Sequence, residues 1–203
     1  LKQTTGRRKK QVNGDPLAIL DPFIADEQKL LASKVFRVLE GKTQVFTQAQ
    51  NSLIRSRKSH VLEVVGVSVL TAEFLGLNTN LVRAAAIGHD VGHVPFGHQG
   101  ESWMAKTMGN RFCHEVMGPI ITQKVERKGF GLNLTWETMD AMMRHSGNTA
   151  REGMSQEAWV LRHTDKFAYI FHDVNDIFMR MRYPMSSEIS SILSVFGENQ
   201  RMR

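Results

Sequence analysis

The sequence predicts an all-α protein, and its pattern of apolar residues carries the prediction. These residues recur at helical spacing along most of the chain, and no segment shows the sustained alternation of a half-buried strand. Residues 59–75 are rich in valine, but the segment is longer than a usual strand of about five or six residues, so we expect a buried helix. No glycine-rich phosphate loop follows a strand, which excludes P-loop and dinucleotide-binding folds.

Each predicted helix is bounded by residues that start or stop it. Gly41 and Gly76 are placed as C-terminal stops, Asn78 and Ser155 as N-caps, and Pro184 as the end of a long helix. The expected helices span residues 25–39, 59–75, 81–89, 98–108, 112–128, 135–145, 155–182 and 186–196, and the main expected loops are 42–56 and 146–153.

The composition is that of one globular domain with a basic surplus. At 203 residues the chain is long enough to bury a core. Lysine and arginine exceed aspartate and glutamate by 26 − 20 = 6, which favours a polyanionic partner, either a nucleotide phosphate tail or nucleic acid. Residues 1–22 are polar and basic and are expected to be partly disordered, ahead of a domain over residues 23–203. Their basic cluster, residues 7–10, is equally explained as a solubilising tail.

Nothing in the sequence resembles a membrane span or a signal peptide. The longest uncharged apolar run of note, residues 64–72, is far too short for a bilayer. The single Cys113 excludes an internal disulfide and fits a reducing compartment, so we expect a cytoplasmic protein without a membrane partner. The chain opens at Leu1 rather than Met, so residues are expected to be missing from its front.

Residues 89–101 contain three of the eight histidines, with a carboxylate beside the first and another at the end. His89 and Asp90 are a poor pair for one metal ion within a regular helix, because neighbouring side chains point about 100° apart. At a helix end, between glycines, both can turn inward. His60 and Asp165 are the expected further ligands, since both are polar groups in otherwise apolar helices. Two imidazoles and two carboxylates suit a divalent cofactor ion such as Mn²⁺, Fe²⁺, Co²⁺, Ni²⁺ or Mg²⁺.

The four candidate ligands form the pattern His…His-Asp…Asp, and seven ordered blocks surround them. The blocks are SKVFRVL (33–39), GKTQVF (41–46), RSRKSH (55–60), GHDVGHVPFGHQGE (88–101), FCH (112–114), GLNLTWE (131–137) and DKFAYIFHD (165–173). Together they resemble the HD-domain metal-dependent phosphohydrolases, and within them the deoxyguanosinetriphosphate triphosphohydrolase-like branch. The resemblance extends over about residues 25–182 and implies an all-α HD-domain bundle with the metal site at its centre.

The resemblance implies a reaction in which a deoxynucleoside triphosphate (dNTP) and water give the deoxynucleoside and inorganic triphosphate. Matched position by position, it also implies roles for individual side chains. The metal ligands would be His60, His89, Asp90 and Asp165, the proton-handling groups His98, Glu101 and His114, and the substrate contacts Glu40, Arg57, His93, Lys166, Tyr169 and Asp173. A histidine can protonate the departing 5′ oxygen because its unperturbed pKa of about 6.5 lies near working pH.

The chain departs from the family's pattern at several positions. Val38 stands where the family often repeats arginine, and Glu40 stands where relatives frequently place a neutral residue near the sugar 3′-hydroxyl. Lys58 and Ser59 replace a more apolar pair. The chain ends at Arg203, whereas many relatives continue with a second helical region, so we expect either a compact member or part of a longer chain. The preferred base is left open.

Two alternatives to dNTP hydrolysis remain open. One is another HD phosphohydrolase activity, such as the release of phosphate from a nucleoside monophosphate. The other is a regulator that binds nucleotide or nucleic acid without turnover, although a pure binder does not need the full set of metal and proton-transfer residues. A homo-oligomer is expected. His145, His163 and His172 are interpreted as surface or supporting groups.

Overall fold

The computed structural model describes residues 6, 21–46, 54–147 and 149–194, and the regular secondary structure within them is helical. The α-helices are α1 (Pro22–Leu31), α2 (Lys34–Arg37), α3 (Arg57–Phe74), α4 (Thr79–Gly88), α5 (Gly97–Thr107), α6 (His114–Lys124), α7 (Trp136–Arg144), α8 (Gln156–Val174) and α9 (Ser187–Leu193). Short 3₁₀ helices lie at Val38–Gly41 and Arg127–Gly129. The all-α prediction is confirmed. Among the helices described, none is both long and apolar enough to cross a membrane.

The centre of the bundle is α4, which packs against α1, α3, α7 and α8. Its Ala84, Ala85 and Ala86 are buried, and their short side chains let the neighbouring helices approach closely. At Gly88 an added Cβ atom would lie 2.7 Å from the sulfur of Met142 on α7. The C-terminal end of α4 is therefore enclosed by other helices, and the side chains that follow it lie inside the protein.

The valine-rich segment forms α3, but only one of its faces is buried. Val61, Val64 and Ala72 are fully buried, on a helix whose main partners are α4 and α8. Leu70 and Phe74 are 73% and 87% exposed. The predicted helix is confirmed, but the expectation that it is buried holds for one face only. A helix of 18 residues presents sides that these two partners do not cover.

Capping residues explain the helix boundaries. The predicted helix over residues 25–39 is interrupted, because Ser33 accepts a hydrogen bond from the backbone N–H of Phe36 and starts α2 as its N-cap. Asn78 caps α4 by accepting from the Leu81 N–H, as predicted. Gly76 has a φ of +67° directly after α3, which agrees with its predicted role as a stop.

Two predicted helices have different ends in the structure. The helix expected over residues 112–128 is the shorter α6, since Cys113 is extended and the chain turns after Lys124. The helix expected to reach residue 182 is α-helical only to Val174 and continues as a π-helix over Asn175–Arg180. The basic cluster at residues 7–10, residues 47–53 of the predicted loop and residues 195–196 of the last predicted helix lie outside the described residues.

Candidate metal centre

His89 is held at the end of α4 with one ring nitrogen aimed at two carboxylates. Its Nδ1 donates to the carbonyl oxygen of Ala86 at 2.7 Å, so the neutral ring carries a lone pair on Nε2. That Nε2 lies 3.4 Å from Asp90 Oδ1 and 3.7 Å from Asp165 Oδ1. It is buried and has no hydrogen-bond partner. A lone pair that faces two carboxylates is repelled by them, and a metal ion or a proton between them would remove the repulsion.

The other predicted ligands converge on the same point from two further helices. His60 on α3 is fully buried, and its Nε2 lies 3.0 Å from Asp165 Oδ1 and 4.0 Å from Asp90 Oδ2. Asp165 reaches the site from the middle of α8. In a metal centre, ligand atoms about 2.1 Å from one ion lie about 3–4 Å from one another. His60, His89 and Asp90 form one group that could hold a metal ion, and His89 and Asp165 belong to another such group with His145. The four-ligand set predicted from the sequence stays a prediction.

Arg57 fixes the orientation of Asp90. It lies in the first turn of α3 with a side chain that is 0% exposed, and its Nη1 donates to Asp90 Oδ2 at 2.7 Å. Its Nη2 donates to the carbonyl oxygen of Gln44 at 3.0 Å. Burial raises the pKa of Asp90, but His89 and Arg57 outweigh burial and hold this pKa well below the usual range. Asp90 is thus an anion with one oxygen occupied by Arg57 and the other facing the histidines.

Glu101 lies between a buried and an exposed histidine. It accepts from the backbone N–H of His114 at 2.8 Å and from His114 Nδ1 at 2.9 Å, and His98 Nδ1 lies 3.3 Å from the same carboxylate. Burial raises the pKa of Glu101, but the hydrogen bonds from both histidines lower this pKa well below its usual range. Burial lowers the pKa of His114, but Glu101 and the other nearby carboxylates outweigh it, so the pKa is raised. His98 is 66% exposed and is therefore accessible from solvent.

His93 connects this group to the metal centre. Its Nε2 lies 3.4 Å from Asp90 Oδ1, and its ring stacks on His114 at 3.7 Å. Burial lowers the pKa of His93 to about 2, so the ring is neutral near neutral pH. The preceding Gly92 allows this arrangement, because a Cβ atom there would lie 2.0 Å from the carbonyl oxygen of His114. Glycine therefore lets the start of α6 approach the metal centre.

His145 belongs to the same cluster, so of its two interpretations the surface group is wrong and the supporting group remains. It is 1% exposed, at the C-terminal end of α7, and its Nε2 lies 3.2 Å from His114 Nε2 and 3.9 Å from Asp90 Oδ1. Burial, assisted by His89, lowers the pKa of His145 to about 3. Little in the sequence indicated this position, because a histidine at a predicted helix end does not show which other side chains pack against it.

The predicted substrate contacts are only partly gathered around the cluster. Besides Arg57 and His93, Tyr169 is close, with its ring 4.9 Å from that of His60, and burial raises its pKa. Lys166 is exposed on α8. Glu40 is 65% exposed and pairs with Lys58 at 3.0 Å. These roles in substrate binding stay predictions.

Asp173 belongs to a second group of charges, the Arg55 cluster, formed by Arg55, Glu63, Asp173 and Asp176. Arg55 is 4% exposed and pairs with all three carboxylates, at 2.7 Å for Glu63 and 3.2 Å for Asp176. This cluster joins the start of α3 to the end of α8. An Asp173 engaged in this way is a poor candidate for direct substrate contact unless Arg55 releases it.

The architecture and the converging histidines and aspartates are those of the HD domain, whose family profile matches residues 57–170. The match covers more than half of the chain and contains all four predicted metal ligands. The chain therefore belongs to the HD-domain family.

Curated relatives extend the similarity beyond this domain. A protein named deoxyguanosinetriphosphate triphosphohydrolase-like from Clostridium tetani is 34% identical over 204 residues, which cover 98% of this chain and 58% of the relative. Proteins of the same name from Caldanaerobacter subterraneus and Cereibacter sphaeroides are 38% and 36% identical, over 86% and 76% of this chain. The chain spans about half the length of the curated relatives it matches.

Proposed function

We propose that this domain is a metal-dependent phosphohydrolase that cleaves deoxynucleoside triphosphates to the deoxynucleoside and inorganic triphosphate. The observation that carries the proposal is the unpartnered Nε2 of His89, which faces the carboxylates of Asp90 and Asp165 inside the bundle. The name shared by the relatives supports the choice of substrate class.

The reaction consumes one water molecule and breaks one phosphorus–oxygen bond. The water oxygen bonds to the α-phosphorus, the bond from phosphorus to the 5′ oxygen breaks, and a proton is delivered to the 5′ oxygen. A divalent cation bound by His60, His89, Asp90 and Asp165 would stabilise charge at the α-phosphate and lower the pKa of a bound water. The remaining tasks fall to the protein's own side chains.

His98 is the best-placed proton donor of the cluster. It is exposed to solvent and ligands, and Glu101 lies 3.3 Å from its Nδ1, so the carboxylate can orient the ring. His114 is buried on the other side of Glu101 and supports the carboxylate through two hydrogen bonds. His93 has a buried, unpartnered Nδ1, which can donate to a phosphate oxygen in the tautomer that carries the ring's single proton on this nitrogen.

The experiment is incubation of the metal-loaded protein with each of the four dNTPs in ¹⁸O-labelled water, followed by chromatography and mass spectrometry. We expect deoxynucleoside and triphosphate, with the label in the triphosphate because the water oxygen bonds to phosphorus. Diphosphate or monophosphate products would contradict the proposed bond cleavage. In a parallel incubation with nucleoside monophosphates, release of orthophosphate would favour the alternative phosphohydrolase activity.

A matched pair of histidine variants tests whether turnover depends on the metal site. His89→Ala should lose turnover and metal binding, whereas His163→Ala, on the exposed surface of α8, should keep both. If nucleotide binding survives in the wild-type protein while no nucleotide is ever cleaved, the domain is a non-catalytic binder. Base preference, subunit number, nucleic-acid binding and a cytoplasmic location stay predictions.

A further inference from the structure

The backbone around His145, where α7 ends, is held by a side chain from another helix. Arg162 lies on α8, and its Nη1 donates to the carbonyl oxygens of Arg144 at 3.0 Å and Ser146 at 2.8 Å. Its Nη2 donates to the carbonyl oxygen of Gly147. One guanidinium therefore binds the chain on both sides of His145, at a helix end, where the last carbonyl oxygens have no donor within the helix.

The end of α4, where His89 lies, is closed in a different way. There the chain turns back on itself, and the backbone N–H of Val91 donates to the carbonyl oxygen of Gly88 at 3.4 Å. At the end of α7 the donors belong to Arg162, whose planar guanidinium presents its N–H groups in a fixed fork. The backbone after α7 is therefore oriented by α8 as well as by its own turn.

The opposite side of this backbone is closely packed. Gly147 has a φ of +56°, and a Cβ atom added there would lie 2.7 Å from Glu115 Oε1 on α6. His145 lies just before it, with Nδ1 donating to the carbonyl oxygen of Met142 at 2.6 Å and Nε2 lying 3.2 Å from His114 Nε2. A shift of the backbone would therefore move the His145 ring relative to that of His114.

We propose that Arg162 is a positioning residue for the candidate metal centre and that it acts through His145. Its guanidinium sets the direction of the backbone around His145, and this direction sets the contact between the His145 and His114 rings. Arg162 lies about one helical turn before Asp165, so α8 carries both a carboxylate of the site and the group that holds the end of α7.

His114 connects this contact to the proposed proton donor. Its Nδ1 donates to Glu101 Oε2 at 2.9 Å, and the same carboxylate lies 3.3 Å from His98 Nδ1. Because a misplacement of about 1 Å can lower a rate by about 10²-fold, we expect kcat to fall about 10–100-fold in Arg162→Ala. KM should stay close to the wild-type value, since the guanidinium contacts the α7 backbone. This effect on turnover rests on the proposed function, whereas the contact between the two rings does not.

The test records long-range ¹H–¹⁵N NMR spectra of the histidine side chains in the full chain, with diamagnetic Mg²⁺ present. In Arg162→Ala the ring nitrogens of His145 and His114 should shift, while those of His60 on α3 should keep their wild-type positions. Arg162→Lys should show the same shifts at smaller size, since an ammonium lacks the planar fork. Millimolar guanidinium ion added to Arg162→Ala should restore the wild-type spectrum, because the Arg162 side chain is partly accessible from solvent.

Arg151→Ala is the matched control. Arg151 follows the same helix end, but it is 53% exposed and pairs with Asp140 at 3.2 Å, so its removal should leave the signals of His145 and His114 unchanged. Circular dichroism and thermal unfolding establish that each variant is folded. If Arg162→Ala does not fold, Arg162→Lys provides the same comparison.

Unchanged His145 and His114 signals in the folded Arg162 variants would overturn the proposal. Equal shifts in His60, or a spectrum that guanidinium does not restore, would overturn it as well, since Arg162 would then support the fold as a whole. The NMR readout is independent of nucleotide hydrolysis. If the expected shifts appear while no dNTP is cleaved, the proposed function fails and this inference holds.

Discussion

Two groups of buried charges lie against α3 and α8, and they differ in how completely their polar atoms are paired. In the metal-facing cluster, formed by Arg57, His60, His89, Asp90, His93, His114, His145 and Asp165, several buried nitrogens have no hydrogen-bond partner. The unpartnered atoms are Arg57 Nε, His60 Nδ1, His89 Nε2 and His93 Nδ1. In the Arg55 cluster, the guanidinium donates to all three carboxylates around it.

The difference separates a ligand site from a structural one. A buried polar atom without a partner is costly in a finished fold, so several of them in one place indicate a missing ligand. A guanidinium surrounded by carboxylates needs no ligand, and its contribution is to hold two helices together. The following predictions test whether the two clusters divide function and stability in this way.

The largest effect is expected for Asp90→Ala. It removes the carboxylate that faces His89 and His93, so metal binding should be lost and turnover should fall by at least about 10³-fold. It also strands the fully buried Arg57, which costs about 3–5 kcal/mol of stability. Asp90→Asn is the companion variant, since its amide oxygen can still accept from Arg57. Wild-type metal affinity and turnover in Asp90→Asn would contradict the assigned role.

Arg55→Met should act on stability first. Asp176 is 1% exposed, and without the guanidinium its remaining partner is the more exposed Arg180, while the partly buried Asp173 loses its pairing with Arg55. We expect a loss of about 3–5 kcal/mol in urea unfolding, with metal stoichiometry unchanged. Arg180→Met is the control, because Arg180 is the more exposed partner of Asp176 and should cost less than about 1 kcal/mol. Lost metal binding at unchanged stability would show that the Arg55 cluster belongs to the active site.

Glu101→Gln should have a smaller effect that depends on pH. Because the pKa of Glu101 is lowered by folding, its stabilising contribution is present above the unfolded pKa of about 4.3 and is lost as pH falls through the folded value. In the metal-free protein the variant should be about 2 kcal/mol less stable than wild type at pH 7. This difference should shrink steadily below about pH 4 in urea titrations. A difference that is independent of pH would mean that the carboxylate is not the anion holding His114 and His98.

Helix boundaries that depend on adjacent residues are predicted well from the sequence. Features that depend on how helices pack are predicted poorly. Asn78 and Gly76 marked their helix boundaries because capping depends on a few adjacent residues. Ser33 was missed, since apolar residues on both sides of it continue at helical spacing. Periodicity also overstated the burial of α3, because it does not tell how many partners a helix has.

The same distinction holds at the site. His60, His89, Asp90 and Asp165 were predicted as metal ligands because their pattern resembles that of the HD-domain family, whose profile matches residues 57–170. The structure brings their side chains close together, and their role as ligands stays a prediction. The position of His145 depends on how the end of α7 packs beside the end of α4, which no local pattern encodes. The pairing of Arg55 with Asp173 and Asp176 joins residues more than 100 positions apart, so it could not be predicted from the sequence either.

The smallest effect is expected at Gly66, which lies on α3 outside both clusters. A Cβ atom added there would meet nothing within 4 Å, and the backbone is helical. Gly66→Ala should therefore raise the unfolding free energy by about 0.5–1 kcal/mol, because alanine loses less backbone entropy on folding. Gly92→Ala is the opposite case, since its Cβ atom would lie 2.0 Å from the His114 carbonyl oxygen and displace α6.

Together the two glycine variants separate the stability of α3 from the geometry of the site. Gly66→Ala should leave metal stoichiometry and turnover at wild-type values, although it strengthens the helix that carries Arg57 and His60. Gly92→Ala should lower both, because His114 begins α6 and moves with it. If stabilising α3 alone changed metal binding, the site would depend on the flexibility of that helix. The two clusters would then differ in the mobility of their helices rather than in how completely their polar atoms are paired.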